Sequence, residues 1–135
     1  MNKIYGRKGG KSTEIPPNYN QSTLLTLRFD NPEFPQSPDL AHGKYTSAGF
    51  KLHKGSLISQ DHKNQKNTNI KQILKDLSED NVLESEYDDG IYYKLKSDIT
   101  LHSSSTAACL VYGNSRNGNT SWKNGDKTLK QLLDV

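Results

Sequence analysis

The run Ser103-Ser104-Ser105-Thr106 sets four hydroxyls side by side just ahead of the small and apolar stretch AACLVYG. Hydroxyl residues in that position cap orphan amides, so a short helix is expected to start near Ser104 or Ser105 and to stop at Gly113. The unpaired amides and positive dipole end of a helix start favour an anion. Ser103, Ser104, Ser105 and Thr106 can therefore contact a phosphate oxygen there. The next segment, Asn114-Ser115-Arg116-Asn117-Gly118, adds a guanidinium able to grip phosphate or a guanine edge, and the amides of Asn114 and Asn117 can pair with adenine. Trp122 can stack on an unpaired base, a contact worth roughly 1–3 kcal/mol in single-strand binders. Lys123 and Lys127 strengthen attraction for a polyanion. Each of these residues also has a purely structural use: a serine as helix cap, Ala107 and Ala108 as small residues under a packed neighbour, Asn117-Gly118 as a turn, Trp122 as the largest core side chain. Core packing is favoured for Trp122, whereas for Arg116 plain solvent exposure and nucleic-acid contact stand level.

Other constellations carry less chemistry. Lys8 to Thr13, KGGKST, has the Lys-Ser ending of a phosphate-binding loop, but Tyr5 stands where the first glycine belongs and no buried strand precedes it, so a basic flexible arm is expected. Gly90-Ile91-Tyr92-Tyr93 is similar to the opening of a GIY-YIG nuclease, whose second half is missing, and is read as a plain strand. His42, His53, His62 and His102 are scattered without metal-ligand spacing, so surface or hydrogen-bonded roles are expected and no metal is implied. Glu79, Asp80, Asp88, Asp89 and Asp98 border turns, where capping explains them, and no nuclease carboxylate pattern accompanies them. Cys109 lies inside AACLV and is expected to be a packed thiol; one cysteine excludes an internal disulfide or a cysteine zinc site. No catalytic residue and no cofactor emerge, so a non-enzyme is expected.

At 135 residues, 31% hydrophobic and 24% charged, the chain fits one core with long loops. A net charge of +3 and a pI near 8.9 suit a polyanionic partner without requiring one. No apolar run reaches signal-peptide or membrane-span length, which points to the cytoplasm and away from membranes. The expected fold is α+β: a small antiparallel sheet packed with two or three short helices, behind an irregular N-terminal arm. The arm is residues 1–44, with one strand around 23–29, after which Pro32, Pro35 and Pro38 forbid regular structure. The domain proper, residues 45–135, opens with a bent strand or hairpin through Phe50, Leu52 and Leu57. Next comes a helix capped by Thr68 or Asn69 that lines up Ile70, Ile73, Leu74 and Leu77 and ends near Asp80 and Asn81. Val82 and Leu83 re-enter the core. A second strand pair is expected in IYYKLKSDITL, and a short terminal helix would dock Leu129, Leu132 and Leu133.

The succession YTSAGFKLHKGSLIS, ILKDLSEDNVL and YKLKSDITLHSSSTAACLVYGNSRNGNTSWKNGDKTLKQLL resembles the domain of unknown function appended to GIY-YIG nucleases and restriction enzyme subunits. The match covers about residues 45–135. Its most specific block is Ser103 to Ala108 with Gly113, Asn117-Gly118 and Trp122. A similar signature marks the RAMA module, associated with restriction enzymes and adenine methylases. Here Ser104 stands where proline is usual, and Asn119-Thr120 separate the Asn-Gly pair from the tryptophan. The resemblance implies a DNA-binding module, with modified bases among its targets, in restriction-modification, nuclease, repair or phage-defence systems. It also implies a nuclease, methylase or restriction subunit as the partner for any chemistry. A protein-interaction adaptor docking such a subunit through an apolar strand edge is the alternative. The DNA reading requires the serine-rich helix start and the Arg116 turn to meet in space.

Overall fold

Alternating apolar and polar residues dictate most of the sheet. In the computed structural model, which describes residues 4–6, 15–28, 39–63, 68–87, 91–114 and 116–134, that alternation produces β2 (Leu25–Arg28), β3 (Asp39–Thr46), β4 (Gly49–Leu52) and β8 (Ile99–Leu101). Leu25 and Leu27, Phe50 and Leu52, and Ile99 and Leu101 all turn to one side and are buried. With β1 (Ile4–Tyr5), β9 (Lys123–Asn124) and β10 (Lys127–Thr128) these strands form a seven-stranded sheet in the order β1-β8-β4-β3-β2-β9-β10. Its pairings are antiparallel except β1 with β8. A second sheet, antiparallel, has the order β5-β7-β6 and is made of β5 (Leu57–Ser59), β7 (Tyr92–Leu95) and β6 (Leu83–Tyr87).

The first helix, α1 (Thr68–Glu79), covers the core with Ile70, Ile73 and Leu77, all fully buried, and half-buried Leu74 packs beside them. It stops where Asn81 turns to φ 57, a conformation asparagine tolerates better than most residues, and Lys96 Nζ donates to the Asn81 side-chain oxygen at 3.1 Å. Helix α2 (Ser104–Tyr112) buries Ala107, Ala108, Cys109, Leu110 and Val111 against both sheets. Helices α3 (Gly118–Ser121) and α4 (Leu129–Leu133) are short, and Thr128 and Gln131 close a reciprocal capping box on α4.

The α+β class stands, with four helices among the described residues. Three expectations are corrected. The sheet is mixed, because β1 adds itself parallel to β8. The strands β7 and β8 do not pair with each other; across the bend at Lys96-Ser97 the chain passes from one sheet to the other, β7 pairing with β5 and β6, and β8 with β4 and β1. The boundary at residue 44 falls inside β3, and β1 and β2 join the same sheet, so the described parts of the expected arm belong to the domain. Lys8 to Thr13, Pro32, Pro35 and Pro38 lie outside the described residues.

One buried and one half-buried imidazole make the fold sensitive to acid. His62 is buried, with Nε2 2.7 Å from the Ser59 carbonyl and, among the described residues, no hydrogen-bond partner for Nδ1. Burial pushes its imidazole below the ordinary histidine value, against the opposing pull of that carbonyl and of Asp61. Burial likewise lowers His53. Below about pH 6.5 the unfolded chain therefore takes up protons that the folded chain refuses. Stability is present in full above that pH and declines as pH falls toward the depressed folded values. Urea midpoints measured between neutral and mildly acidic pH should show this decline, and a shallower one in His62→Gln; equal slopes in the two proteins would clear His62 of any part in it.

Candidate functional site

The start of α2 is closed by its own side chains. Ser103 is the N-cap, with extended backbone, and its Oγ accepts from the Thr106 amide at 3.1 Å and lies 2.9 Å from Thr106 Oγ1. The Ser104 hydroxyl, buried, donates to Asn119 Oδ1 at 3.0 Å, and the Ser105 hydroxyl accepts from the Gly118 amide at 2.9 Å. Ser104 and Ser105 thus fasten α3 onto α2, and the four hydroxyls are engaged internally. Trp122 completes the junction. It is fully buried, its Nε1–H donates to the Ser104 carbonyl at 3.0 Å, and its ring centroid lies 4.4 Å from that of Phe50. This is the core-packing role; no face of the indole is open to a base, which corrects the stacking alternative.

Gly113 ends α2 in the left-handed conformation, φ 80, and its amide donates to the Cys109 carbonyl. The chain then folds back so that the buried Cys109 thiol meets the Arg116 backbone: Sγ accepts from the Arg116 amide at 3.4 Å and donates to its carbonyl at 3.7 Å. That anchor leaves the Arg116 side chain exposed. Its guanidinium carbon lies 4.4 Å from the centre of the Tyr112 ring, a cation–π arrangement, and Nε donates to Asn114 Oδ1 at 2.8 Å. Tyr112 in turn donates its hydroxyl to the Arg28 carbonyl at 2.6 Å. Asn117, exposed, caps α3 by accepting from the Asn119 amide at 3.0 Å.

The Arg116 turn does reach the helix start, through the Gly118 amide on Ser105 Oγ, but the Arg116 guanidinium does not join the hydroxyls there. The hydroxyls sit at the N-terminal end of α2 and the guanidinium at Tyr112, its last residue, about 12 Å away along an ideal helix. Asn114 and Arg116 are brought together. Lys123 and Lys127 are exposed on the β9–β10 hairpin, and among the described residues neither they nor Arg116 has an acidic partner within 4.0 Å. Tyr112, Arg28 and the Cys109 contact went unnoticed in the sequence, where nothing local signals them. Among the described residues no three His, Cys, Asp or Glu side chains gather as a metal site requires, and no helix is long and apolar enough to cross a membrane.

The family model of a domain of unknown function, DUF4357, matches residues 37–133. The chain belongs to this family. No curated protein and no solved structure matches it. Within this DUF4357 chain the match runs from just before β3 to the end of α4, eight residues earlier than the resemblance at 45 suggested, so the family core takes in all of β3. The α2–α3 junction with its Ser104–Trp122 bond lies wholly inside it.

Proposed function

We propose that this DUF4357 chain is a non-enzymatic DNA-binding module, related to the RAMA module and to the domains appended to GIY-YIG nucleases, and serving a restriction-modification, nuclease or phage-defence system. The joint site of hydroxyls and guanidinium that the sequence reading required is not formed, because the hydroxyls are engaged internally, so the fixed arginine alone carries the proposal. Arg116 lies over the Tyr112 ring and is held through Nε to Asn114, while its two Nη groups have no hydrogen-bond partner among the described residues. A planar, pre-ordered pair of donors suits bidentate recognition of a phosphate or a guanine edge at little further entropy cost. Exposed Asn117, Lys123 and Lys127 supply further polar and cationic contacts nearby in sequence. Base modification enters as a property of the DNA to be recognised, and a nuclease, methylase or restriction subunit as the partner that supplies chemistry.

The test is binding to labelled unmodified and methylated DNA over a range of salt. The apparent association constant should fall steeply with salt, and Arg116→Ala should weaken binding and flatten the slope by about one if the guanidinium meets a phosphate. Absence of any salt-dependent DNA binding by the wild-type protein would end this reading. The adaptor alternative draws on the exposed apolar side chains Ile4, Leu24 and Ile91. Capture of a nuclease or restriction subunit that persists at high salt would favour it, since phosphate contacts weaken there.

A further inference from the structure

The register of the seven-stranded sheet fixes what its second face carries. Residues paired across strands point to the same side, so the rows opposite the core can be read from the pairings. One row runs Ile4, Thr100, Lys51, Lys44 from β1 through β8 and β4 to β3. The neighbouring row runs His42, Thr26, Lys123 from β3 through β2 to β9. His53 follows β4 beside them, its amide donating to the His42 carbonyl at 2.9 Å. This face is open: the side chains of Lys51 and His42 are 46% and 43% exposed.

Its chemistry is cationic and rich in donors. Lys44, Lys51 and Lys123 bring three positive charges, while Asp98 brings one negative charge, its carboxylate 3.7 Å from Lys51 Nζ and accepting from the Lys54 amide. Asp39 at the margin is occupied by Arg28, at 2.9 Å. The two imidazoles and the Thr26 hydroxyl, 3.2 Å from His42 Nδ1, lie between the lysines. Burial lowers the affinity of His53 for a proton, and among the charges around it Asp98 opposes that shift while Lys44, Lys51 and His42 add to it. Lys51 and Lys123 are three interstrand steps and one two-residue row apart, about 16 Å on a rigid sheet. With the reach of their side chains, two such lysines can span the roughly 12 Å width of a duplex major groove and meet phosphates of both strands. The margin of the face is continuous with Arg116 through Arg28, whose carbonyl accepts from Tyr112.

We propose that the face of the seven-stranded sheet opposite the core is the surface on which the backbone of duplex DNA lies, with Lys44, Lys51 and Lys123 on its phosphates. The inference rests on the DNA-binding reading and adds to it a surface of which that reading contains only Lys123. The test follows a short labelled duplex by fluorescence anisotropy over a salt series with wild type, Lys44→Gln/Lys51→Gln, Asp98→Asn and Arg116→Ala. The double variant should weaken binding and reduce the salt slope by about two, since each phosphate contact contributes about 0.9 on duplex DNA. Asp98→Asn, which keeps the acceptor for the Lys54 amide and removes the opposing charge, should tighten binding. Thermal unfolding of each variant accompanies these measurements. Binding by the double variant equal to wild type, with Arg116→Ala impaired, would overturn this surface and leave the DNA-binding reading standing. A wild-type protein that binds no DNA overturns both. Preference for single strands over the duplex, or self-association abolished by the double variant, would assign the face to another occupant and overturn the inference.

Discussion

Trp122→Ala is expected to cost about 3–5 kcal/mol, the range for emptying a buried aromatic site and a large share of what holds a small domain together. The indole is fully buried, rests 4.4 Å from Phe50 between ring centroids, and closes the α2–α3 junction through its bond to the Ser104 carbonyl. Alanine leaves a cavity walled by a sheet and a helix junction that cannot both collapse into it. Phenylalanine would retain the ring contact and lose the N–H donor, so Trp122→Phe should cost less, about 1–3 kcal/mol from the lost volume and hydrogen bond together. The chain has a single tryptophan, so unfolding is to be followed by far-ultraviolet circular dichroism in urea rather than by indole fluorescence. An alanine variant that unfolds at the wild-type urea concentration yet loses DNA affinity would mean that Trp122 stacks on a base and is not the keystone of the core.

The parts of this molecule that could be read from sequence are those decided locally. The spacing of Ile70, Ile73 and Leu77 is the period of one helix face, and all three are buried on α1. Alternation through Phe50 and Leu52 marked β4 as half-buried, and by the same rule Lys51 had to face outward. Alternation is silent on partners, however. It assigned β7 and β8 to one hairpin, whereas a turn of a few residues carries the chain from one sheet to the other. It gave no notice that Tyr5 pairs with Leu101 in a parallel bridge. The candidate site divides in the same way. A run of hydroxyls announces a helix start, and Ser103 provides the cap. Whether the remaining hydroxyls face water or a neighbouring segment depends on where α3 lies, which is a tertiary fact. Arg116 was visible as a cation in a polar loop; that Cys109 anchors its backbone and Tyr112 supports its guanidinium was not, because both contacts arise only when the loop doubles back on the helix.

Gly118→Ala should be the most damaging single-carbon addition in the α2–α3 junction, about 3 kcal/mol or somewhat more, at the upper end of what overpacking costs. In sequence, Asn117-Gly118 has the form of a turn that needs a glycine for its backbone. Gly118 does not take a positive φ, unlike Gly113 and Gly125, and it opens a helix, where alanine is intrinsically better by about 1 kcal/mol. Propensity alone therefore predicts a gain. Space predicts the reverse: a Cβ at Gly118 would lie 2.2 Å from the Ser104 carbonyl carbon, 2.3 Å from the Ser105 nitrogen and 2.5 Å from the Ser104 oxygen. All three are backbone atoms, so no rotamer change relieves the contact, and α3 must lift from α2. Lifting it also strains the bonds from the Gly118 amide to Ser105 Oγ and from Trp122 Nε1 to the Ser104 carbonyl. Gly125→Ala is the matched comparison, since its Cβ meets nothing within 4 Å and only its φ of 61 is unfavourable, a cost of about 1–2 kcal/mol. Urea denaturation should rank Gly118→Ala well below Gly125→Ala in stability. Gly118→Ala at or above wild-type stability would mean that the two helices are not in the close contact that ties the hydroxyl run, the glycine and the tryptophan into one structural unit.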